Sequence, residues 1–426
     1  MWKIVGVKKD GPNPNSGTSQ VGINLKLTYG NRLNGGSEMK PKTWINLIAV
    51  SALLVGSFGV MPVKQPGAQA ATIIRVTPGG SASFPCGDSW ANACELQTAL
   101  TNASAGYEIW AAAGTYKPGT NREDTFQLMS GVALYGGFAG TETTREQRDW
   151  EANLTVLSGD IGVEADSSDN SYHVVTGGGA DLTLTTILDG FTITRGNADG
   201  QSPNERGGGI LIGGYCGPTL TNLIFSGNSA VTGGGMMNDT CGPTLTNVTF
   251  SGNFASAEGG GMFNTWFSSP RLTNVTLSGN SADYGGGMYN SYYSNPTFAN
   301  TILWGNTAGT SGPQIYNDET SAPSIQYSDV QGGCATIPGS ICSGGGNIDA
   351  DPLFARNPDP GADDTWGTED DDYGDLRLQI GSPAIDAGNN TAPELAGITT
   401  DLDGNPRFYD VPEIVDTGVG PAPVVD

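Results

Sequence analysis

The chain has 426 residues, 65 of them Gly and 25 Pro; only 15% are charged, and 43 acidic side chains face 19 Lys and Arg, for a net charge of −24. So turn-dense a composition suits an all-β chain rather than a helical one, and the length is enough for a sizeable core. An acidic surface of this kind repels nucleic acid and anionic membranes, which excludes both as partners, and favours solubility and divalent cations.

Residues 1–38 are polar and rich in Gly and Asn, and read as a mis-called start or a disordered leader ahead of a better initiator at Met39. Met39-Lys40-Pro41-Lys42, the apolar stretch from Trp44 to Val60 and Ala68-Gln69-Ala70 then form a basic region, a hydrophobic region and a small-x-small cleavage site. This is a signal peptide over 39–70. The competing reading is a membrane anchor, but Ser51, Gly56, Ser57 and Gly59 interrupt the stretch and a cleavage pattern follows it. Removing residues 1–70 takes away eight Lys and Arg and two acids, leaving 11 cationic against 41 acidic groups and a net charge of −30. The expected product is secreted or held at the cell surface, with no integral membrane span after signal removal.

Six cysteines in an exported chain should pair. Cys86 and Cys94 lie close together, Cys334 and Cys342 bracket a Gly- and Ser-rich loop, and Cys216 and Cys241 each precede Gly-Pro-Thr-Leu-Thr-Asn, 25 residues apart. None makes the close-pair spacing of a zinc site.

Residues 71 to about 120 read as a cap and a first coil. Ser89-Trp90 starts a helical pattern with Ala93, Leu96 and Leu100, and Glu108-Ile109-Trp110 begins the first strand. A short helix over the open end would shield strand edges from self-association. Residues 121–206 continue as less regular coils, with strands at 132–138, 154–157 and 187–193.

A strict repeat follows. Gly triplets at 207–209, 233–235, 259–261 and 285–287 recur every 26 residues, and each leads through Pro218, Pro243, Pro270 or Pro296 into a short run such as Leu-Thr-Asn-Val-Thr-Phe that closes on Asn. A fixed period of this size means stacked coils, and β-branched runs bounded by Gly, Pro, Asn and Ser are strands between tight bends. The expected architecture is a parallel β-helix, a solenoid of about 26 residues per coil. Equivalent positions then stack about 4.8 Å apart. Three apolar columns become the core: Ile210, Met236, Met262, Met288; Leu220, Leu245, Leu272, Phe298; and Phe225, Phe250, Leu277, Leu303. Two Asn columns, Asn222 to Asn300 and Asn228 to Asn306, sit at bends, where an amide satisfies both its stacked neighbours and turn backbone. Stacking also puts Cys216 and Cys241 in one column, inside the window for a disulfide. One or two more coils carry 314–316 and 324–327. After Gly345 an Asp-rich run, Asp359 to Asp375 and including Glu369, precedes a Pro- and Asp-rich module.

Two resemblances follow from these residues. Phe225-Ser-Gly-Asn228 and Phe250-Ser-Gly-Asn253, with Leu277 and Leu303 departing conservatively, resemble the repeats of polymorphic outer-membrane proteins. Asn347-Ile-Asp-Ala-Asp-Pro-Leu-Phe354, Ser382-Pro-Ala-Ile-Asp-Ala-Gly388 and Thr400-Asp-Leu-Asp-Gly-Asn-Pro-Arg407 resemble the bacterial choice-of-anchor Q module; its usual closing motif survives only as Asp416-Thr417-Gly418-Val419. Together they imply a right-handed parallel β-helix of the pectin-lyase-like superfamily over 71–345, and an acidic loop and C-terminal module over 346–426, exported to the bacterial surface.

Helices of that superfamily often cleave acidic polysaccharides, with Ca²⁺ and a basic residue near carboxylates, or with a facing carboxylate pair. Between Gly207 and Asn306 the charged residues are Asp239, Glu258, Arg271 and Asp283, and no two share a repeat column. His173 reads as an ordinary strand residue, whereas Asp160 and Asp189 in the irregular coils remain candidates for a site. A binding role has more support. Tyr215, Trp266, Phe267, Tyr292 and Tyr293 occupy the loop after each Gly-rich strand and gather on one edge, a platform for sugar rings or a protein partner unless the C-terminal module covers them. Asp401, Asp403 and Asn405 alternate oxygen ligands around Gly404, a candidate Ca²⁺ loop whose competing reading is a metal-free turn. The function expected is structural or adhesive, toward an extracellular polysaccharide or a surface protein; the alternative is a polysaccharide lyase or glycoside hydrolase.

Overall fold

Three short strands per coil stack in register into three parallel sheets, so the chain forms a right-handed parallel β-helix, the hand that crossovers between parallel strands take. The computed structural model describes residues 71–164, 166–178, 182–342, 344–368, 370–396, 398–408 and 416–420. The leader and signal-peptide readings therefore lie outside the described residues, as does Glu369. In one coil Met236–Asp239 joins a seven-stranded second sheet, Thr244–Ser251 a 13-stranded long sheet, and Phe254–Glu258 a five-stranded third sheet, before the next Gly triplet returns the chain one coil on. The triplets are needed because coils approach closely there: a Cβ at Gly260 would lie 2.5 Å from the Gly286 carbonyl.

All three apolar columns are paired in register: Met236 opposes Met262, Leu245 opposes Leu272, and Phe225 opposes Phe250, every one buried. Interior amides form ladders between them. Asn228, Asn253 and Asn280 each donate to the next Asn, ending at Asn306, at 2.9–3.0 Å, and each of these also donates to a carbonyl of the preceding coil. Gly196 caps one end and Gln314 the other. A second interior ladder, Asn238, Asn264, Asn290 and Asn317, was not singled out from sequence, although Gly-Gly-Gly-x-x-Asn precedes its first three members. The Asn222 column instead puts a left-handed residue inside the long strands Thr219–Ser226, Thr244–Ser251 and Arg271–Ser278, and between Thr297–Ala299 and Ile302–Trp304, with φ between +51° and +55°, and faces outward to the C-terminal module. The cysteines pair as 86–94, 216–241 and 334–342, the middle pair bridging adjacent coils with a Cα separation of 4.6 Å.

The N-terminal end departs from expectation. A strand at Thr72–Ser81 precedes the expected first strand and pairs with Tyr107–Ala112. The helix is shorter than its pattern: a 3₁₀ turn at Trp90–Asn92 stops where Cys94 is tied to Cys86 and bridges to Val76 and Ser81, and the α-helix spans Leu96–Asn102, with Leu96, Ala99 and Leu100 buried against the core. Beyond the last coil, Phe354–Arg356 and Asp375–Leu378 form an antiparallel pair.

Candidate functional site

The second-sheet strands Ile210–Gly213, Met262–Thr265 and Met288–Asn290 lead into turns whose aromatic residues adopt the left-handed conformation: Tyr215, Trp266, Phe267, Tyr292 and Tyr293 all have φ between +51° and +64°. That backbone costs an L-residue roughly 1–2 kcal/mol, least for Gly or Asn, so bulky rings here run against local preference. The rings are not covered; relative exposures run from 49% for Trp266 to 81% for Tyr215. Coil stacking aligns them in pairs: Trp266 lies over Tyr292 at 4.4 Å and 7°, Phe267 over Tyr293 at 5.4 Å and 8°. Backbone bonds fix the turns, the Tyr292 amide donating to Asp318 Oδ2 at 2.7 Å and the Tyr293 amide to Thr320 Oγ1 at 2.9 Å. Four of the five rings expected from sequence are thus brought together. Tyr215 stands apart, because the intervening coil carries Thr240 and the disulfide-bonded Cys241 in those columns.

The same coils carry rings that sequence reading passed over. Phe263, Tyr289 and Tyr316 are in register on the outer face of the second sheet; Tyr289 and Tyr316 stack at 5.0 Å and 14°, and Phe263 meets Tyr289 edge-on. Tyr284 meets Tyr316 edge-on at 5.2 Å and pairs in register with Glu258. The signal was the residue following each buried Met or Ile, which is aromatic in three successive coils. Partial burial pushes the Glu258 carboxyl up from its usual range, and burial together with Glu258 pushes the Tyr289 hydroxyl up to about 12.

A second candidate lies where the C-terminal module packs on the outer face of the long sheet and the two line a half-open cavity of about 960 Å³. Its floor carries Ile224, Thr249, Thr276, Ile302 and Asp329 from successive coils, and its roof Arg377, Asp401, Asp403 and Arg407. Arg407, buried, holds the module down: Nη2 donates to Asn247 Oδ1 at 2.6 Å and Nε to the Thr400 carbonyl, while the Asn274 amide accepts from Nη1 at 2.7 Å. Asn300 exchanges bonds with the Asn389 backbone. The outward Asn column thus serves as the module's docking strip. Trp366, Tyr373 and Pro358 pack over the turn glycines Gly252, Gly227 and Gly279, where a Cβ would clash.

Most of the acidic loop closes on itself, Asp370 accepting from the Ala362 amide and Asp371 from those of Gly367 and Thr368. Among the described residues no group of three or more His, Cys, Asp or Glu is arranged to hold a metal ion. Asp401 accepts from the Asn405 amide at 2.7 Å, the geometry of a turn. Asp403 differs: burial and the nearby Asp401 and Glu151 push its carboxyl up, against Arg377. Asp329 at the floor is pushed up to about 6 by burial, with Asp349 and Asp351 adding to it; one oxygen accepts from the Ala350 amide and the other has no hydrogen-bond partner.

The remaining candidates lie elsewhere and make contacts within the helix. Asp189 is held by Arg148 at 2.6 Å and accepts from Asn222, heading the docking strip. Asp160 lies 3.6 Å from Lys117. His173 sits just ahead of the strand Val175–Gly178 rather than in it, buried, with Nδ1 3.1 Å from the Gly207 carbonyl and its pKa lowered by burial.

No protein-family model matches the chain, and no curated protein matches it. Among solved structures it is similar to a crystal structure of pectate lyase Pel9A, at 14% identity and a TM-score of 0.39, over 80% of this chain and 98% of that one. At that distance nothing about chemistry passes from one chain to the other. No helix among the described residues is long and apolar enough to cross a membrane.

Proposed function

We propose that this is an exported β-helical protein that binds an extracellular polysaccharide through its exposed turn aromatics, in an adhesive or structural role. The observation that carries the reading is the pair of coplanar stacks, Trp266 on Tyr292 and Phe267 on Tyr293, held exposed on a backbone conformation that disfavours them. Flat exposed rings are what pyranose C–H faces pack on. Three disulfides support an oxidising compartment. On this reading 71–345 is a helix with polymorphic outer-membrane-like repeats and 346–426 an anchor-Q-like module. Replacing Trp266, Tyr292 and Tyr293 together by Ala is expected to abolish binding on a glycan array with circular dichroism unchanged; unaltered binding rejects the platform.

A second reading, cleavage of an extracellular polysaccharide, is favoured by Asp403, a carboxyl pushed up in its cavity beside Arg377. Product formation from uronate or neutral glycans that disappears in Asp403→Asn would establish it over the first. Ca²⁺ is the cation expected to relieve the repulsion between Asp401 and Asp403. A melting temperature raised by millimolar Ca²⁺ and insensitive to it in the Asp401→Asn/Asp403→Asn variant is the expected result.

A further inference from the structure

The turn platform does not end at the turn. Phe263 lies three residues before Trp266 on one strand, and Tyr289 three before Tyr292 on the next. At about 3.3 Å per residue the two sets of rings are separated by about 10 Å, the reach of a disaccharide. They therefore form one aromatic surface along the same coils, from Phe267 and Tyr293 at the turn, through Tyr316 on the second sheet, to Tyr284 at the end of a third-sheet strand.

The charges nearest this surface are carboxylates; the cation of the Glu258 column, Arg206, lies two coils away and is paired with Glu205 and Asp239. Glu258 lies in register with Tyr284, is half-buried, and has no hydrogen-bond or ion-pair partner among the described residues. Asp283 precedes Tyr284 and is exposed. Asp318 sits under the Tyr292 turn; against the cost of partial burial, bonds from the Tyr292 amide and Thr320 hold its carboxyl below the usual range, so it stays ionised. From Gly207 to Asn306 the single cation is Arg271, which lies at the start of a long-sheet strand rather than among these rings. A neutral sugar needs none of these carboxylates, and a uronate would be repelled by them and by the net charge of −24. An ammonium group satisfies both features, pairing with carboxylate and resting on the faces of tyrosine rings.

We propose that the polysaccharide taken by this surface bears free amino groups, a polymer of hexosamine units in the ammonium form, with Glu258 and Asp318 receiving the amines while the rings receive the sugar faces. This rests on the aromatic-platform reading above and names its substrate class.

The test compares sedimentation of the disulfide-intact protein with three polymers: deacetylated β-1,4-glucosamine, its N-acetylated counterpart, and polygalacturonate. The wild type is expected to bind the deacetylated polymer about tenfold more tightly than the acetylated one, and Glu258→Gln to lose about fivefold on the deacetylated polymer alone, the scale of one desolvated cation contact. Equal affinity for both glucosamine polymers, or a preference for polygalacturonate, with Glu258→Gln silent, overturns the charge inference and leaves the platform standing. Binding to none of the three in the wild type, with the Trp266, Tyr292 and Tyr293 variant indistinguishable from it, sinks both.

Discussion

Phe225 on Phe250 and Trp266 on Tyr292 are nearly the same object. Both are ring pairs contributed by adjacent coils, at 4.5 Å and 7° in the first case and 4.4 Å and 7° in the second. The first pair is fully buried on extended backbone and the second is half-exposed on left-handed backbone. Coil stacking makes columns on either side of the wall without discrimination. Which side a column faces decides whether the stack removes water from the core or offers an apolar surface to something else, and the backbone beneath it shows at what cost.

The interior stacks should dominate stability. Phe250→Ala is expected to lose about 3–5 kcal/mol, since a fully buried ring leaves a cavity in a closely packed solenoid. A loss under about 1 kcal/mol in urea unfolding would mean the column is not what the core rests on. Asn253→Ala should follow at about 2–3 kcal/mol, because it strips the partner from Asn228, Asn280 and the Phe225 carbonyl at once, all buried.

Asp329 sharpens the comparison from an intermediate place, on the outer face but under the module. Its folded pKa of about 6 lies above the unfolded value near 3.9, so between those values the native state holds more protons than the unfolded chain and stability falls as pH rises through 6. Asp329→Asn should therefore be more stable than the parent at pH 7, by at most about 3 kcal/mol, with the gap closing toward pH 4. Taking the difference between the two proteins removes the opposite contribution of His173, which is buried neutral and weakens the fold as pH falls. A gap independent of pH would show that Asp329 is not the titrating group.

The 26-residue period carried the coil, the three core columns, the Asn228 ladder and the Cys216–Cys241 bridge, because in a solenoid sequence spacing is spatial register, while the other two cysteine pairs were legible from closeness in the chain. What it could not carry were contacts at unlike separations. Arg407 reaches Asn247 across 160 residues, so the docking strip looked like a second set of turn amides, and the cavity, which needs both partners, was invisible. Phe263, Tyr289 and Tyr316 were in plain register, yet a half-exposed aromatic at a strand position looks like ordinary packing until its neighbours are known. At the cap, the helical period ran on through residues whose disulfide and strand bridges override it.

The smallest expected effect on stability is the most telling about function. Trp266→Asn removes a stack worth about 0.5–1.5 kcal/mol at most, since the ring is half in water already. It also relieves left-handed strain of about the same size, because Asn tolerates φ near +53° where Trp does not. The two nearly cancel, so the unfolding midpoint should stay within about 1 kcal/mol of the parent while polysaccharide binding is lost. A large destabilisation would place Trp266 with Phe250 among the residues that hold the helix together. A stable variant that still binds would leave the strained rings without the role their exposure suggests.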